Sequence, residues 1–250
     1  MKINIITGGS RGLGRSMALN LADKGQDSII TYHANKAAAD DVVKLIEAKG
    51  RKAVALQLDV AKAATFDGFV ADVKTALAST WKRDTFDHLV NNAGTGVNAT
   101  IDATPEATFD EMMNIHLKAP FFLTQKLLPV MADGGRILNV SSGLARFSFP
   151  AYASYAMMKG GIEVFTRYLA KELGSRGISA NTLAPGAIAT DFGGGRTRDS
   201  KEINAMLAGQ TALGRVGLPD DIGALTAAML SDDFRWVNGQ RIEASGGFML

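Results

Sequence analysis

Short apolar runs alternate with longer amphipathic stretches along the whole chain. The runs at 3–6, 28–32, 53–58, 87–91, 136–140, 178–183 and 240–244 predict seven strands. Apolar positions at helical spacing predict helices at 15–24, 37–49, 66–78, 106–131, 154–173 and 220–230, and Pro120 could bend the fourth. This alternation is typical of a parallel sheet with helices on both faces. We therefore expect one α/β domain over residues 1–250, built on a doubly wound, seven-stranded parallel sheet.

One long stretch, residues 190–217, lacks this regular alternation. It is rich in glycine and in basic residues, and its pattern predicts a single helix inside it. Long irregular segments in compact domains often cover a binding site. We expect a substrate lid here.

Composition removes several classes of function. The chain has 27 basic and 25 acidic side chains, a formal net charge of +2, which gives no electrostatic reason to expect a nucleic-acid or membrane partner. Cysteine is absent, so disulfides, thiolate metal sites and a cysteine nucleophile are excluded, and three scattered histidines do not predict a metal site. No apolar run approaches the ~18 residues of a membrane span, and no apolar leader is visible. We expect a cytoplasmic protein.

A glycine-rich turn follows the first predicted strand and reads TGGSRGLG at residues 7–14. In a doubly wound sheet this turn lies at the ligand-binding edge and leads into a helix, whose free N–H groups favour a phosphate. We expect a dinucleotide pyrophosphate close to Gly8, Gly12 and Gly14, with Ser10 and Leu13 in the same turn. The alternative is a tight strand–helix turn that binds nothing.

The end of the second strand bears on which dinucleotide binds. Enzymes that use NAD usually place an acidic residue there to hold the ribose 2′-hydroxyl, but no carboxylate occurs from 28 to 39. The side chains present instead are Tyr32, His33, Asn35 and Lys36, and Arg11 lies in the glycine turn. This combination suits a 2′-phosphate and predicts NADP(H) rather than NAD(H). The alternative is that Arg11 and Lys36 are solvated surface charges.

Four further motifs follow in order: NNAG at 91–94, VSS at 140–142, SYAMMK at 154–159 and NTLAPGAIATD at 181–191. With the glycine turn, they make the chain resemble the short-chain dehydrogenase/reductase family over nearly its whole length. The types it is most similar to are 3-oxoacyl-[acyl-carrier-protein] reductases and general ketone or sugar-alcohol reductases. The resemblance implies a Rossmann fold, a nicotinamide cofactor, a small carbonyl or alcohol substrate and a homotetramer.

Within these motifs, Ser142, Tyr155 and Lys159 match the family's catalytic residues. Positions i and i+4 of a helix share a face, so Lys159 should lie beside Tyr155. A free phenol titrates near about 10, and a neighbouring ammonium should lower that pKa and make Tyr155 a general acid and base. Ser142 should stabilise charge on the substrate oxygen. Tyr32 and Lys36 have the same spacing but no matching serine upstream.

The resemblance also assigns residues around the cofactor. Asp59 and Val60 match the adenine side, although Asp59 could simply cap a helix. Asn91, Ala93 and Gly94 match the segment that packs along the cofactor and supports the sheet. The loop that touches nicotinamide and pyrophosphate corresponds to Pro185, Gly186, Ile188 and Thr190, and Tyr155 and Lys159 would face the nicotinamide ribose.

One position departs from the family pattern. Where the family often has an asparagine that holds water for a proton relay through the lysine, this chain has His116. An imidazole both donates and accepts hydrogen bonds, so we expect His116 to take that role. The alternative is a buried histidine without a catalytic part.

Three functions remain open at this point. The leading prediction is an NADP-dependent enzyme that interconverts a carbonyl and an alcohol. A catalytically silent dinucleotide-binding regulatory or scaffold protein is the second, and a methyltransferase on a related sheet is the third. Titration with NADPH and NADH would separate them.

Overall fold

All seven predicted strands join one sheet in the computed structural model, which describes residues 1–250. They are β1 Ile3–Ile6, β2 Asp27–Tyr32, β3 Ala53–Gln57, β4 Phe86–Asn91, β5 Met131–Val140, β6 Ser179–Pro185 and β7 Arg241–Ala244. The order across the sheet is β3-β2-β1-β4-β5-β6-β7, and every neighbouring pair is parallel. The strand order therefore reverses between β1 and β4, where open α/β sheets bind their ligands. The predicted fold class is confirmed.

Helices cover both faces of the sheet. They are α1 Gly12–Asp23, α2 Lys36–Ala48, α3 Phe66–Ala76, α4 Glu106–Met113, α5 Ala119–Leu127, α6 Ala153–Glu172, α7 Arg196–Asp199, α8 Lys201–Gly209 and α9 Pro219–Met229. One apolar layer packs against the face that carries Ile3 and Ile5, and the other against the face that carries Ile6. No helix is both long and apolar enough to cross a bilayer.

The helix predicted over 106–131 runs without a break from Glu106 to Leu127 but is not α-helical throughout. It divides into α4, a π-helical turn at Asn114–Lys118, and α5, and the chain has already entered β5 at Met131. Pro120 has no N–H to donate to the carbonyl of His116, and its ring crowds that carbonyl, so the turn before it widens. The proline predicted to bend this helix thus accounts for the wide turn that carries His116.

The segment 190–217 contains more structure than the sequence predicted. Two helices, α7 and α8, stand where one was expected, and three consecutive glycines precede them. Gly193, Gly194 and Gly195 all have positive φ, at 60°, 74° and 77°. Only glycine adopts this left-handed conformation without a steric penalty, so the chain reverses sharply here.

A row of buried polar side chains crosses the sheet under one helical layer. In register, Asn4 pairs with Ser28 on one side and His88 on the other, and His88 pairs with Arg136. These side chains share the face of Ile6 because alternate residues of a strand point the same way. Several of their buried atoms have no hydrogen-bond partner: Asn4 Oδ1, Ser28 Oγ, both His88 ring nitrogens and Arg136 Nε. Unpartnered buried groups of this kind destabilise a fold.

A second set of polar side chains, which we call the polar ladder, is linked from member to member by hydrogen bonds. Asn91 donates to Asn139 Oδ1 at 2.8 Å, and Asn139 donates to Thr166 Oγ1 at 2.9 Å. Thr182 also bonds Thr166, at 2.9 Å, and Asn91 reaches Thr124 at 3.1 Å. The ladder joins β4, β5 and β6 to α5 and α6.

Candidate active site

The first two turns of α6 present Tyr155 and Lys159 towards the end of β5. They lie one turn apart on the buried face of the helix, as their spacing predicted. Both side chains are almost completely buried, with 7% and 6% of their surfaces exposed. The site therefore contains a phenol and an amine that are shielded from bulk water.

Lys159 is held by the neighbouring strand. Its Nζ donates to the carbonyl oxygen of Val140 at 2.7 Å and lies 5.5 Å from the centre of the Tyr155 ring. Burial disfavours the charged ammonium and lowers the pKa of Lys159 to about 7. Near neutral pH, this amine can both take up and release a proton.

The pKa of Tyr155 moves in the direction opposite to our expectation. Burial raises it above the ordinary value of a phenol, and the Ser142 hydroxyl opposes the rise only in part. The predicted lowering by Lys159 is wrong for this structure: removal of the phenolate from water dominates, and the hydrogen bond with Ser142 is the one cause that lowers the pKa of Tyr155. Tyr155 thus keeps its proton at neutral pH.

The two serines at the end of β5 have separate environments. Ser142 Oγ accepts a hydrogen bond from the N–H of Leu144 at 3.2 Å, so this serine caps a short turn as well as facing the phenol. Ser141 instead donates to Glu163 Oε1 at 2.7 Å, and that oxygen also accepts from Arg241 at 2.7 Å. Ser142 is the serine that the structure brings to Tyr155.

His116 also belongs to this cluster. Its ring meets the Tyr155 ring edge-on, with 5.1 Å between centroids, and its Nε2–H donates to the carbonyl oxygen of Thr95 at 2.8 Å. Burial, followed by the charge of Lys159, lowers the pKa of His116 to about 3, so the ring is neutral. Nδ1 is buried without a partner. In this tautomer, Nδ1 can accept a hydrogen bond from a water but cannot donate one.

The glycine turn is built to let backbone approach a ligand. Gly8 and Gly12 have φ of 68° and 54°, and a Cβ on Gly14 would overlap the carbonyl oxygen of Gly8. The first turn of α1 has neither a side-chain cap nor an acidic residue, so its N–H groups remain available to an anion. Leu13 packs into the apolar layer and Ser10 is half-buried. These features fit a pyrophosphate.

The polar residues after β2 are already engaged in contacts within the protein. Asn35 caps α2 through the N–H of Ala38 at 3.0 Å, and Lys36 pairs with Asp40 at 2.8 Å. Tyr32 is buried in the apolar layer, and His33 Nε2 lies 3.6 Å from Asp59 Oδ2.

Asp59 accepts the N–H of Ala61 at 3.0 Å and pairs with Lys62 at 3.2 Å. It closes a turn and does not cap a helix, because the next helical residue is Ala63 and its N-cap is Lys62. Arg11 is exposed and forms no ion pair. Of these residues, Arg11 is the cation left free for a phosphate.

The end of β4 lies directly under the glycine turn. The Asn91 side chain is committed to the polar ladder, which supports a structural role. Asn92, which the sequence analysis did not select, donates to the carbonyl oxygen of Thr7 at 2.8 Å. Thr7 Oγ1 accepts the N–H groups of Asn92 and Ala93, each at 2.9 Å. The repeated asparagine in NNAG was the signal that could have revealed Asn92.

Gly94 and the loop after β6 complete the edge of the site. A Cβ on Gly94 would lie 2.7 Å from Cε1 of His116, so this glycine makes room for the imidazole. A Cβ on Gly12 would lie 3.8 Å from the Cβ of Thr190, so the loop after β6 comes close to the glycine turn. The remaining predicted residues pack nearby: Pro185 ends β6, Gly186 lies against Ser245, Ile188 bridges to Gly217, and Val60 packs on an apolar layer.

Known proteins resemble this chain from end to end. The profile of a family described as enoyl-(acyl carrier protein) reductase matches residues 8–249. An uncharacterised oxidoreductase of Methylorubrum extorquens is 36% identical over 246 residues, which cover 98% of this chain and 97% of that protein. Tetrahydroxynaphthalene reductase PfmaG of Pestalotiopsis fici is 36% identical over 259 residues, which cover 98% of this chain and 91% of that protein. The structure of angucycline C-6 ketoreductase LanV with bound NADP superposes with a TM-score of 0.94 at 34% identity. The match covers 99% of this chain and 95% of LanV.

Proposed function

Because the chain belongs to the short-chain dehydrogenase/reductase family, and is an NAD(P)-dependent oxidoreductase acting on carbonyl and CH–OH groups, we propose that it is an NADP-dependent ketone reductase with Tyr155 as general acid and base. The observation that carries the proposal is the convergence of Ser142, Lys159 and His116 on one buried phenol. An uncapped helix N-terminus at the same edge of the sheet suits a dinucleotide phosphate.

Reduction of a ketone needs a hydride at the carbonyl carbon and a proton at the oxygen. When bound, NADPH would supply the hydride. Tyr155 would donate the proton: the buried phenol is a weak acid that keeps its proton at neutral pH, and it would give the proton up as the carbonyl oxygen gains negative charge. Ser142 would hydrogen-bond the carbonyl oxygen as negative charge develops there. Lys159 would hold the nicotinamide ribose and, with a pKa of about 7, exchange protons close to Tyr155.

His116 would bind the water of a proton relay through its unpartnered Nδ1. The tautomer fixed by Thr95 lets Nδ1 accept only, so the water would donate to His116 and accept from another group. His116→Ala should then change both the rate and its pH profile. An unchanged rate and profile would leave His116 with a packing role alone.

The decisive test is Tyr155→Phe. This variant keeps the ring that packs against His116 but removes the proton donor, so we expect kcat to fall by roughly 10²–10⁴. NADPH binding, followed by nicotinamide fluorescence, should persist. Undiminished turnover would refute the proton role of Tyr155. NADPH binding without any ketone turnover in the wild type would favour the regulatory alternative.

The preference for NADP(H) would rest on Arg11. Lys36 is paired with Asp40, whereas the guanidinium of Arg11 has no carboxylate partner and can bind a phosphate through two nitrogens, so Arg11 is the stronger candidate for the 2′-phosphate. Arg11→Ala should weaken NADPH binding by about 10-fold or more and leave NADH binding nearly unchanged. Arg15→Ala is the matched control, since Arg15 is also exposed and forms no ion pair. Equal losses for both cofactors would argue against a 2′-phosphate contact.

We also propose a homotetramer. An apolar surface on α5 and α6 remains exposed, and it consists of Phe121, Phe122, Met157, Val164 and Tyr168. A second copy of the chain would cover it. Analytical ultracentrifugation of the wild type and of Tyr168→Arg tests this: the wild type should sediment as a tetramer and the variant as a smaller species. The cytoplasmic location stays a prediction.

The names of the relatives suggest where to look for substrates. Two of them are a tetrahydroxynaphthalene reductase and an angucycline ketoreductase, so cyclic ketones are the first compounds to test with NADPH. The resemblance to 3-oxoacyl-[acyl-carrier-protein] reductases remains the other prediction. Arg198 of the lid is paired with Asp191 and Asp199, which leaves fewer free cations for an anionic carrier.

A further inference from the structure

The ring of Phe192 lies over the phenol of Tyr155. Their centroids are 5.7 Å apart, and His116 packs on another side of the same phenol. Tyr155 is 7% exposed, whereas Phe192 is 43% exposed. Phe192 therefore forms part of the boundary between the phenol and solvent.

Gly96 provides the space that Phe192 occupies. A Cβ at this position would lie 2.6 Å from Cζ of Phe192 and 2.7 Å from its Cε1. Any side chain at position 96 would therefore push the ring away from the phenol. The cover over the Tyr155 phenol therefore depends on glycine at position 96 as well as on the aromatic ring at position 192.

The segment that carries Phe192 is suited to movement. Gly193 and Gly194 have positive φ, and no atom lies within 4 Å of where their Cβ atoms would be. Before them, the N–H of Phe192 donates to Thr190 Oγ1 at 3.2 Å. After them, Arg198 forms ion pairs with Asp191 and Asp199, which connect the two sides of the glycine run. Exposed ion pairs of this kind contribute little to stability.

We propose that Phe192 is a gate over Tyr155, which turns on the hinge Gly193–Gly195 and favours ketones whose ring is fused to a flat aromatic ring. The inference rests on the proposed function. A ketone must reach the phenol, and the space beside the phenol is occupied by Phe192. A substrate with a flat ring gains a stacking contact when the gate closes on it, and a substrate without one does not.

The selectivity test compares 1-indanone with cyclopentanone, which lacks the fused benzene ring. For Phe192→Ala, the ratio of kcat/KM for the two ketones should fall about 2- to 10-fold, the range expected for one aromatic contact. Phe192→Tyr keeps the aromatic face and should keep the ratio. Leu45→Ala, which removes an exposed apolar side chain far along α2, is the matched control and should also keep it.

The outcomes separate the two proposals. If the wild type reduces neither ketone nor any other with NADPH, the proposed function and the gate are both overturned. If the wild type reduces both ketones and Phe192→Ala leaves the ratio unchanged, the gate is overturned and the reductase activity stands.

The hinge is tested with Gly194→Ala. Alanine disfavours the left-handed conformation of the closed gate, so the open population should rise, and the KM for cyclopentanone, which gains no stacking contact from closure, should fall by up to about fivefold. Gly50→Ala is the matched control, because Gly50 has φ 73° and equally open surroundings but lies far along the chain from the gate. An equal or higher KM in Gly194→Ala would overturn the hinge.

Discussion

Replacement of His88 by leucine should make the protein less sensitive to acid. His88 is fully buried in the centre of the sheet, and neither ring nitrogen has a hydrogen-bond partner. Burial is the main cause that lowers its pKa to about 4, the positive charges of Arg136 and Lys2 lower it further, and Asp87 opposes them. The folded protein therefore resists protonation of this side chain.

The size of the effect follows from the difference between the two states. An unfolded histidine titrates near 6.5 and the folded one near 4, so between these values the unfolded chain binds a proton that the folded chain does not. Stability is therefore lost as pH falls from 6.5 towards 4. At 1.36 kcal/mol per pKa unit, the difference between 6.5 and 4 corresponds to about 3 kcal/mol in full, and to roughly 2–3 kcal/mol at about pH 4.5.

Urea unfolding at about pH 7 and about pH 4.5 measures this loss. Trp81 is a suitable fluorescence probe, since it is buried and its Nε1 donates to Asp27 at 2.7 Å. Between the two pH values, the wild type should lose roughly 2–3 kcal/mol more than His88→Leu or than His88→Gln, which is polar but does not titrate. At neutral pH, leucine should be neutral or stabilising because it removes unpartnered polar atoms. Equal losses in all three proteins would refute the reasoning.

Two further substitutions test the glycine turn and the buried amine of Lys159. Gly14→Ala should weaken NADPH binding at least about 10-fold. The new Cβ would overlap the carbonyl oxygen of Gly8 and lie 2.7 Å from Asn92 Nδ2. Fluorescence titration with NADPH measures the loss of affinity. Gly68→Ala, at an open position in the first turn of α3, is the control and should retain both NADPH binding and stability. Lys159→Met should abolish turnover yet leave Tm equal or higher, because it removes a buried amine; a lower Tm would contradict the stated burial penalty.

The fold was predictable because each strand is a short apolar run between turn signals. Runs such as 3–6 and 28–32 are buried on both faces, so most of their residues are apolar, and Asn4 and Ser28 do not hide the pattern. The π-helical turn within the helix 106–131 was only hinted at by Pro120. A π turn depends on how one displaced carbonyl is accommodated, and helical periodicity does not report this.

The positions of the candidate catalytic residues were predictable, but their electrostatics were not. Spacing along α6 located Tyr155 and Lys159 correctly on one face. The direction of the Tyr155 pKa was wrong, because the depth of burial depends on tertiary neighbours such as Phe192, which lies 37 residues away (192 − 155) in a region without clear periodicity. The direction of the Asn91 side chain was likewise decided by partners on β5 and α5.

The polar ladder has a consequence for how this enzyme can diversify. A helix held by apolar contacts alone can roll or slide by a fraction of a turn when its surroundings change. Thr166 bonds side chains from two strands, so α6 is anchored in both rotation and height. Loops at the carboxyl edge can therefore be exchanged, lengthened or repacked without shifting Tyr155 and Lys159 out of register with β5. New substrates can be acquired by loop changes while Tyr155 and Lys159 keep their positions relative to β5.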